Sequence, residues 1–280
     1  MIIWIASYPK SGNTLLRSLL SAYFFTNDGS FSFDHLRKID QFPNISLFEK
    51  LGIDLNDKNE IEKNYVKVQE LITKDKKKIQ FWKTHNAFCK FQNKYEFTNL
   101  NNTLAAIYVV RDPRNVATSF ANHYQISINQ AVDLLSQNTV IKKSNDDLLP
   151  VFSGAWNFNY NSWKNLSVLN RYCLVKYEDL VNNKKDTFVK ILKFVNQVTK
   201  MNNDLNFEKI NNAISTTDFE KLKKMEKKIG FQESIKNKNK GNINFFNLGS
   251  KNNWRYLLNK DLSKKIEVKF KNEMIELGYL

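Results

Sequence analysis

Three short segments of the sequence carry side chains that can bind an anion or move a proton. The first, Tyr8–Thr14, reads YPKSGNT, in which Lys10 supplies a mobile cation and Ser11, Asn13 and Thr14 supply hydrogen-bond donors. A turn of this kind at a helix start surrounds an anion with backbone N–H groups. It is not the P-loop of nucleotide triphosphatases, because the lysine precedes the only glycine of the segment. The segment therefore predicts a phosphate cradle, with an ordinary polar turn as the alternative.

The second segment, Arg111–Ser119, joins an arginine to a serine that lies about two helical turns farther on. Arg111 follows the most apolar run of the chain, and ligands bind at the carboxyl edge of α/β sheets. A guanidinium fork with a hydroxyl suits a terminal phosphate monoester. Asp112 and Pro113 are typical of a helix cap and a first helical residue. The alternative is an ion pair between Arg111 and Asp112 at the helix start.

The third segment, Trp82–His85, reads WKTH and ends a short apolar run. A histidine two residues after Lys83, at the end of a strand, can act as a general base beside a cation. A single histidine is more often a surface or core residue, and His35 and His123 are interpreted that way. His85 becomes a candidate base only if the other two segments lie beside it.

Hydropathy patterns place these segments at the ends of strands. Apolar runs predict strands at Ile2–Ala6, Ile79–Trp82, Leu104–Val110 and Tyr172–Tyr177. Helical spacing predicts helices at 13–25, 61–74, 151–169, 185–198 and 262–277. Strands that alternate with helices predict one α/β domain over 1–280, with a central, mainly parallel sheet flanked by helices. We expect 236–254 to form a mobile loop over the cofactor, followed by a C-terminal helix within 260–280.

Taken together and in this order, the three segments resemble the motifs of sulfotransferases that use 3′-phosphoadenosine 5′-phosphosulfate (PAPS). Residues 8–14 match the family's Tyr-Pro-Lys-Ser-Gly-Thr-Thr with Asn13 as the one change, 83–85 match its Lys-Thr-His, and 111–119 match its 3′-phosphate motif. The resemblance spans nearly the whole chain and implies the P-loop-kinase-like sulfotransferase fold. It implies transfer of a sulfuryl group from PAPS to a hydroxyl of a small acceptor, leaving 3′,5′-bisphosphoadenosine (PAP), without a metal.

The resemblance also implies roles for single residues. His85 is the expected catalytic base, with Lys10 and Lys83 as catalytic cations. The expected cofactor-binding residues are Lys10, Ser11, Gly12, Asn13 and Thr14 at the 5′-phosphate, Arg111 and Ser119 at the 3′-phosphate, Tyr177, Thr217 and Phe219 near the adenine, and Gly249 in the late loop.

The late loop departs from the family pattern. An Arg-Lys pair that helps to grip the 3′-phosphate is replaced by Asn247-Leu248. Each lost charged hydrogen bond weakens binding by about 1.5–3 kcal/mol unless another group compensates. Lys251 or the lysines of 236–240 are candidates for that compensation. This change keeps open the alternative that the protein is a weakly active homologue that still binds PAPS.

The acceptor site is less well defined by the sequence. We expect Trp82, Phe88 and Trp156 to line an aromatic, partly apolar substrate pocket, although aromatic side chains at such spacing are more often core residues. Asn159 stands where many family members carry a histidine. The acceptor and the oligomeric state therefore stay open.

Composition narrows the remaining alternatives. The 280 residues contain 43 Lys+Arg against 28 Asp+Glu, a net charge of +15, which favours an anionic partner. Only six of the basic residues are arginines, and a lysine surplus in a chain rich in Asn and Ile is typical of compositional bias. A nucleic-acid-binding protein is less favoured because no aromatic-basic recognition motif appears. A nucleotide or small-molecule kinase would need a Walker motif, which is absent.

Composition also bears on the compartment. The chain is 42% hydrophobic, which excludes a disordered protein. It has no run of about 20 apolar residues to span a membrane. Two cysteines are too few for a disulfide scaffold, and residues 1–10 lack the basic region of a signal peptide. These features predict a cytoplasmic protein.

Overall fold

The computed structural model describes residues 1–75, 78–141, 147–237 and 241–280. Its centre is a parallel sheet of four strands, in the order β2-β1-β3-β4. The strands are β1 (Ile2–Ser7), β2 (Gln80–Thr84), β3 (Thr103–Val110) and β4 (Tyr172–Lys176). The predicted α/β class and the four predicted strands are confirmed, with ends shifted by one or two residues.

The strand β1 shows why its sequence is apolar without alternation. Every one of its residues is buried, because helices cover both faces of the sheet. Ile2 and Trp4 point into one hydrophobic core and Ile3 and Ile5 into the other. A strand with two buried faces gains hydrophobic stabilisation from each successive residue, so no position favours a polar side chain.

Helices pack in two layers. In chain order the helices are α1 (Asn13–Phe25), α2 (Ile45–Glu49), α3 (Lys58–Ile72), α4 (Pro113–Tyr124), α5 (Ile128–Leu135), α6 (Trp156–Lys164), α7 (Tyr177–Asn182), α8 (Lys184–Thr199), α9 (Phe207–Thr216), α10 (Phe219–Ile229), α11 (Trp254–Leu257), α12 (Lys260–Lys269) and α13 (Lys271–Glu276). The first core is covered by α2 to α6 together with α12 and α13, and the second by α1 and α7 to α10.

Two predicted helices differ from the structure. The helix predicted over 151–169 begins only at Trp156, because Val151–Phe152 pairs as a strand with Val140–Ile141 and Gly154 adopts a left-handed φ of 65°. The C-terminal helix predicted within 260–280 is two helices, broken at Phe270. That residue has a φ of −113° and is fully buried, with its ring 5.1 Å from the Trp156 ring.

The late segment 236–254 contains more regular structure than the predicted loop. Strands Ile235–Asn237 and Gly241–Ile243 pair in antiparallel fashion, and a 3-10 turn follows at Gly249–Lys251. Residues 238–240 of the lysine run lie outside the described residues, and the mobility of 236–254 stays a prediction. Across the described ranges, no helix combines the length and the apolar character needed to cross a membrane.

Candidate active site

The carboxyl ends of the four central strands bring the predicted site residues together. The strand β1 leads into the loop 8–12, β2 into His85, β3 into Arg111 and β4 into Tyr177. A cavity of about 430 Å³ opens at this edge. Of the predicted catalytic and cofactor-binding residues, all but Ser11 line it: Lys10, Gly12, Asn13, Thr14, Lys83, His85, Arg111, Ser119, Tyr177, Thr217, Phe219 and Gly249.

The loop before α1 has the backbone of an anion cradle. Lys10 and Gly12 adopt positive φ angles of 66° and 105°, which turns successive N–H groups toward one side of the loop. Gly12 is required there, because a Cβ atom would lie 2.4 Å from Cδ2 of Tyr177. The Asn13 amide donates to the Ile5 carbonyl over 2.9 Å and to Ser7 Oγ over 3.2 Å. Asn13 therefore fixes the loop with its side chain, and only its backbone N–H remains as a phosphate donor.

Several buried polar atoms at or near this loop have no hydrogen-bond partner among the described residues. They include the donors Tyr8 Oη, Ser11 Oγ and Nε of Arg111. Buried polar groups in native proteins are nearly always hydrogen-bonded, to protein, water or ligand. Unpartnered donors beside a left-handed loop are what a bound phosphate oxyanion would satisfy. The residues present therefore fit a nucleotide phosphate.

His85 is held as a neutral base. Its Nδ1 lies 2.9 Å from the Ser7 carbonyl oxygen, and a carbonyl can only accept, so this contact assigns the ring hydrogen to Nδ1. Nε2 then keeps its lone pair for an incoming proton. Burial lowers the pKa of His85 to about 3, and Lys83 acts in the same direction. The imidazole is therefore uncharged at neutral pH, with the Nε2 lone pair free.

Asn159 holds the backbone of His85 in place through hydrogen bonds. Its amide donates to the carbonyl oxygens of His85 over 3.1 Å and of Ser153 over 2.7 Å. Its own oxygen accepts from the Tyr108 hydroxyl over 2.8 Å. Asn159 is fully buried, so it positions the base and does not face the cavity.

Lys10 and Lys83 lie with Arg111 in a positively charged part of the cavity wall. Burial lowers the pKa of Lys10 to about 7, and Glu233 only partly opposes that shift. Burial lowers the pKa of Lys83 as well, and Glu233 again opposes it. The Lys10 ammonium also lies 4.0 Å above the centre of the Phe245 ring. A bound anion would favour the charged forms of both lysines.

Arg111 closes the other end of the cradle. Its Nη1 donates to the Lys10 carbonyl over 3.2 Å, and its guanidinium lies 4.2 Å from the centre of the Tyr177 ring. Asp112 does not pair with it; its carboxylate caps α4 at the Arg114 N–H over 2.9 Å and pairs with the Arg114 side chain. The cap that the sequence predicts is confirmed. Arg111 keeps its remaining donors for a ligand.

The neutral pair Asn247-Leu248 does lie in the cavity wall. The Asn247 amide donates to Asn122 Oδ1, and the Asn247 carbonyl accepts from Lys223 Nζ, both over 3.0 Å. Lys251, one predicted substitute for the lost charges, is exposed and lies outside the lining. Lys184 at the start of α8 does line the cavity, and the motifs did not point to it.

The predicted acceptor aromatics pack in the core instead of lining the cavity. Trp82 meets Phe42 edge-on at 6.5 Å between ring centres, and Phe88 lies 5.3 Å from Trp163. Trp156 is 1% exposed. The structure therefore places Trp82 and Trp156 in the core and the half-buried Phe88 against it, and none of the three lines this cavity.

Other side chains line the same cavity as His85. The cavity wall contains Gln41, His123 and Tyr124. His123 is 8% exposed, with its ring 5.9 Å from that of Phe245 and no hydrogen-bond partner within the described part of the chain. Burial lowers the pKa of His123 to about 3, and Lys10 adds to the shift. His123, which the sequence alone indicates as a surface or core residue, is therefore a buried side chain in the cavity wall.

Comparisons with known proteins agree with this geometry. The sulfotransferase domain family matches residues 2–278, and no curated protein sequence matches the chain. Retinol dehydratase bound to androsterone and PAP is 15% identical, with a TM-score of 0.61 over 98% of this chain and 80% of that one. A mouse sulfotransferase bound to PAP is 18% identical, with a TM-score of 0.56 over 98% and 84%. The structural likeness shows the fold, and the family match over nearly the full length shows that the chain belongs to the sulfotransferase family.

Proposed function

We propose that the chain transfers the sulfuryl group of PAPS to a hydroxyl of a small acceptor, with His85 as the general base. One observation carries the proposal. The Nδ1 hydrogen of His85 is engaged by the Ser7 carbonyl, in a cavity that also holds the phosphate loop, Lys83 and Arg111. A neutral imidazole with one free lone pair beside buried cations suits deprotonation of an alcohol during transfer to it.

Each of the site residues has a separate role in this proposed reaction. PAPS supplies an activated sulfuryl group, whose transfer has a loose transition state in which positioning and charge stabilisation dominate. Nε2 of His85 accepts the hydroxyl proton as the acceptor oxygen bonds to sulfur. Lys10 stabilises the charge left on the phosphate oxygen, and Lys83 stabilises the sulfuryl oxygens. Ser11 Oγ and the loop N–H groups hold the 5′-phosphate.

The 3′-phosphate end needs a further cation, since Asn247-Leu248 supplies none. We propose that Lys184 provides it, together with Arg111 and Ser119. Lys184 lines the cavity, and burial lowers its pKa while Asp218 opposes the shift. A partly buried lysine of this kind gains from an anionic partner. This assignment favours an active enzyme over a homologue that binds PAPS only weakly.

The acceptor end is proposed to involve Gln41, His123 and Tyr124. These side chains offer polar contacts around the free face of His85, in place of the aromatic lining expected from the sequence. Retinol dehydratase has been solved with androsterone and with retinol, and we propose an acceptor of comparable small size. The free cysteines Cys89 and Cys173 fit a reducing compartment, and we propose the cytoplasm.

Radiolabelled PAPS tests this function directly. Transfer to a panel of alcohols, phenols and glycans is measured for the wild type, for His85→Asn and for His35→Asn. His35 is the matched control, because its imidazole accepts from the Ser32 N–H in a 3-10 turn and does not line the cavity. His85→Asn should slow transfer by about 10²–10⁴-fold with unchanged PAP binding. Near wild-type transfer by His85→Asn would refute the base assignment.

A further inference from the structure

A carboxylate lies among the cations of the site. Glu233 accepts hydrogen bonds from Arg17 Nη1 over 2.5 Å, Thr14 Oγ1 over 2.9 Å and Lys83 Nζ over 3.1 Å. Arg17 and Lys83 side chains are 6% exposed and Glu233 is 22% exposed. Although burial opposes ionisation, Lys83 and Arg17 hold the pKa of Glu233 well below its ordinary value. Three donors therefore converge on one oxyanion position.

Arg17 belongs to none of the sequence motifs, yet its guanidinium is fixed independently of Glu233. It lies on α1, one turn after Thr14, and its Nη2 donates to the carbonyls of Ile39 over 2.6 Å and of Leu36 over 3.2 Å. These two bonds leave Nη1 directed toward the carboxylate. A buried, pre-oriented guanidinium is a specific oxyanion receptor, and its position does not depend on which oxyanion it binds.

The donors and the carboxylate differ in how they are anchored. Thr14 and Arg17 lie on α1, and Lys83 lies on β2 in the central sheet. Glu233 lies in the short segment between α10 and the strand Ile235–Asn237. Moving the Glu233 side chain breaks no sheet or helix bond, whereas moving the donors would disturb the core. The exchangeable member of the cluster is therefore the carboxylate.

We propose that Thr14, Arg17 and Lys83 form the subsite for the sulfonate of the donor, and that Glu233 competes with the sulfonate for it. The proposal rests on the proposed function and adds Arg17 as a sulfonate-binding residue. A sulfonate presents oxygens to the same donors as a carboxylate, so donor binding has to displace Glu233. Competition with the carboxylate then weakens the binding of PAPS. It does not weaken the binding of PAP, which has no sulfonate.

The test compares the dissociation constants of PAPS and PAP by calorimetry, without acceptor, for Glu233→Gln. Glu220→Gln is the matched control, since Glu220 is an exposed carboxylate in the same cavity wall with no ion pair in the described ranges. Glu233→Gln should bind PAPS about tenfold more tightly, the size of one charge-assisted hydrogen bond. PAP binding should change by less than about twofold.

A second variant tests Arg17 itself. In the Glu233→Gln background, Arg17→Gln should remove the gain in PAPS affinity and leave PAP affinity within about threefold. The melting temperature of each variant reports whether it folds. Equal tightening of PAPS and PAP would assign the subsite to the 5′-phosphate and overturn the proposal. If Glu233→Gln and Glu220→Gln changed PAPS affinity equally, the change would follow from the lost negative charge alone, and the proposal would be overturned. A wild type that binds neither nucleotide would overturn the proposed function itself.

Discussion

The replacement of Gly12 by alanine is a demanding test of the phosphate loop. Gly12 has a φ of 105°, and a Cβ atom there would lie 2.4 Å from Cδ2 and 3.1 Å from Cε2 of Tyr177. The ring of Tyr177 in turn lies against the Arg111 guanidinium at 4.2 Å. A methyl group at residue 12 must therefore displace Tyr177 and disturb the contact that orients Arg111.

The expected loss has two parts. An L-residue in the left-handed region costs roughly 1–2 kcal/mol of folding free energy. Displacing Tyr177 also weakens a cation–π contact, worth about 0.5–2 kcal/mol. Because Arg111 is expected to bind the 3′-phosphate, the second part should appear in PAP affinity. A loss of about 1.4 kcal/mol corresponds to a tenfold larger dissociation constant.

Gly52→Ala is the matched control. Gly52 has a φ of 64° and is exposed, and a Cβ atom there would have no heavy atom within 4 Å. Urea unfolding should show a loss of stability in both variants, and calorimetry should show weaker PAP binding only in Gly12→Ala. If Gly12→Ala bound PAP as the wild type does, the packing of the loop on Tyr177 would not position Arg111.

Four further predictions concern charge, protonation and the acceptor. The value of kcat/KM for PAPS should fall by up to about tenfold per pH unit above pH 7, because Lys10 with a pKa of about 7 loses its charge in the free enzyme. Lys10→Arg should remove this decrease above pH 7. If the decrease stayed the same in Lys10→Arg, Lys10 would not be its cause. His85, with a pKa of about 3, should cause no loss between pH 5 and 7, and an acid limb that disappears in His85→Asn would contradict its neutral state. His123→Phe should raise KM for the acceptor without changing PAP affinity, and weaker PAP binding would place His123 at the nucleotide. Lys184→Met should weaken PAP binding about tenfold and adenosine 5′-phosphate binding little; equal weakening of both would remove Lys184 from the 3′-phosphate.

Local sequence features predict the fold and the meeting of the three motif segments at one edge of the sheet. The apolar run of β1 and the helical spacing of α1 place the loop 8–14 between them, and that loop can only lie at the carboxyl edge of the sheet. The same reasoning holds for His85 and Arg111. Each depends on a strand and the few residues after it, so sequence neighbours are sufficient to locate the side chain.

The remaining site residues depend on contacts between distant parts of the chain. Glu233 accepts a hydrogen bond from Lys83, which lies 150 positions earlier in the chain. No sequence pattern around residue 233 predicts that contact. Trp82 and Phe88 lie outside the cavity lining, which the sequence cannot show because a core ring and a pocket ring look alike in it. The sequence also cannot show that the Asn159 amide donates to the carbonyls of both His85 and Ser153.

The most direct test of the central claim is thermal unfolding with PAP or with Mg-ATP. The cavity is proposed to bind a nucleotide with a 3′-phosphate and no triphosphate, so PAP at about 100 times its dissociation constant should stabilise the fold by about 2.7 kcal/mol. That gain should raise the melting temperature by several degrees, while Mg-ATP at the same concentration should leave it unchanged. Stabilisation by Mg-ATP and none by PAP would contradict the sulfotransferase site described here.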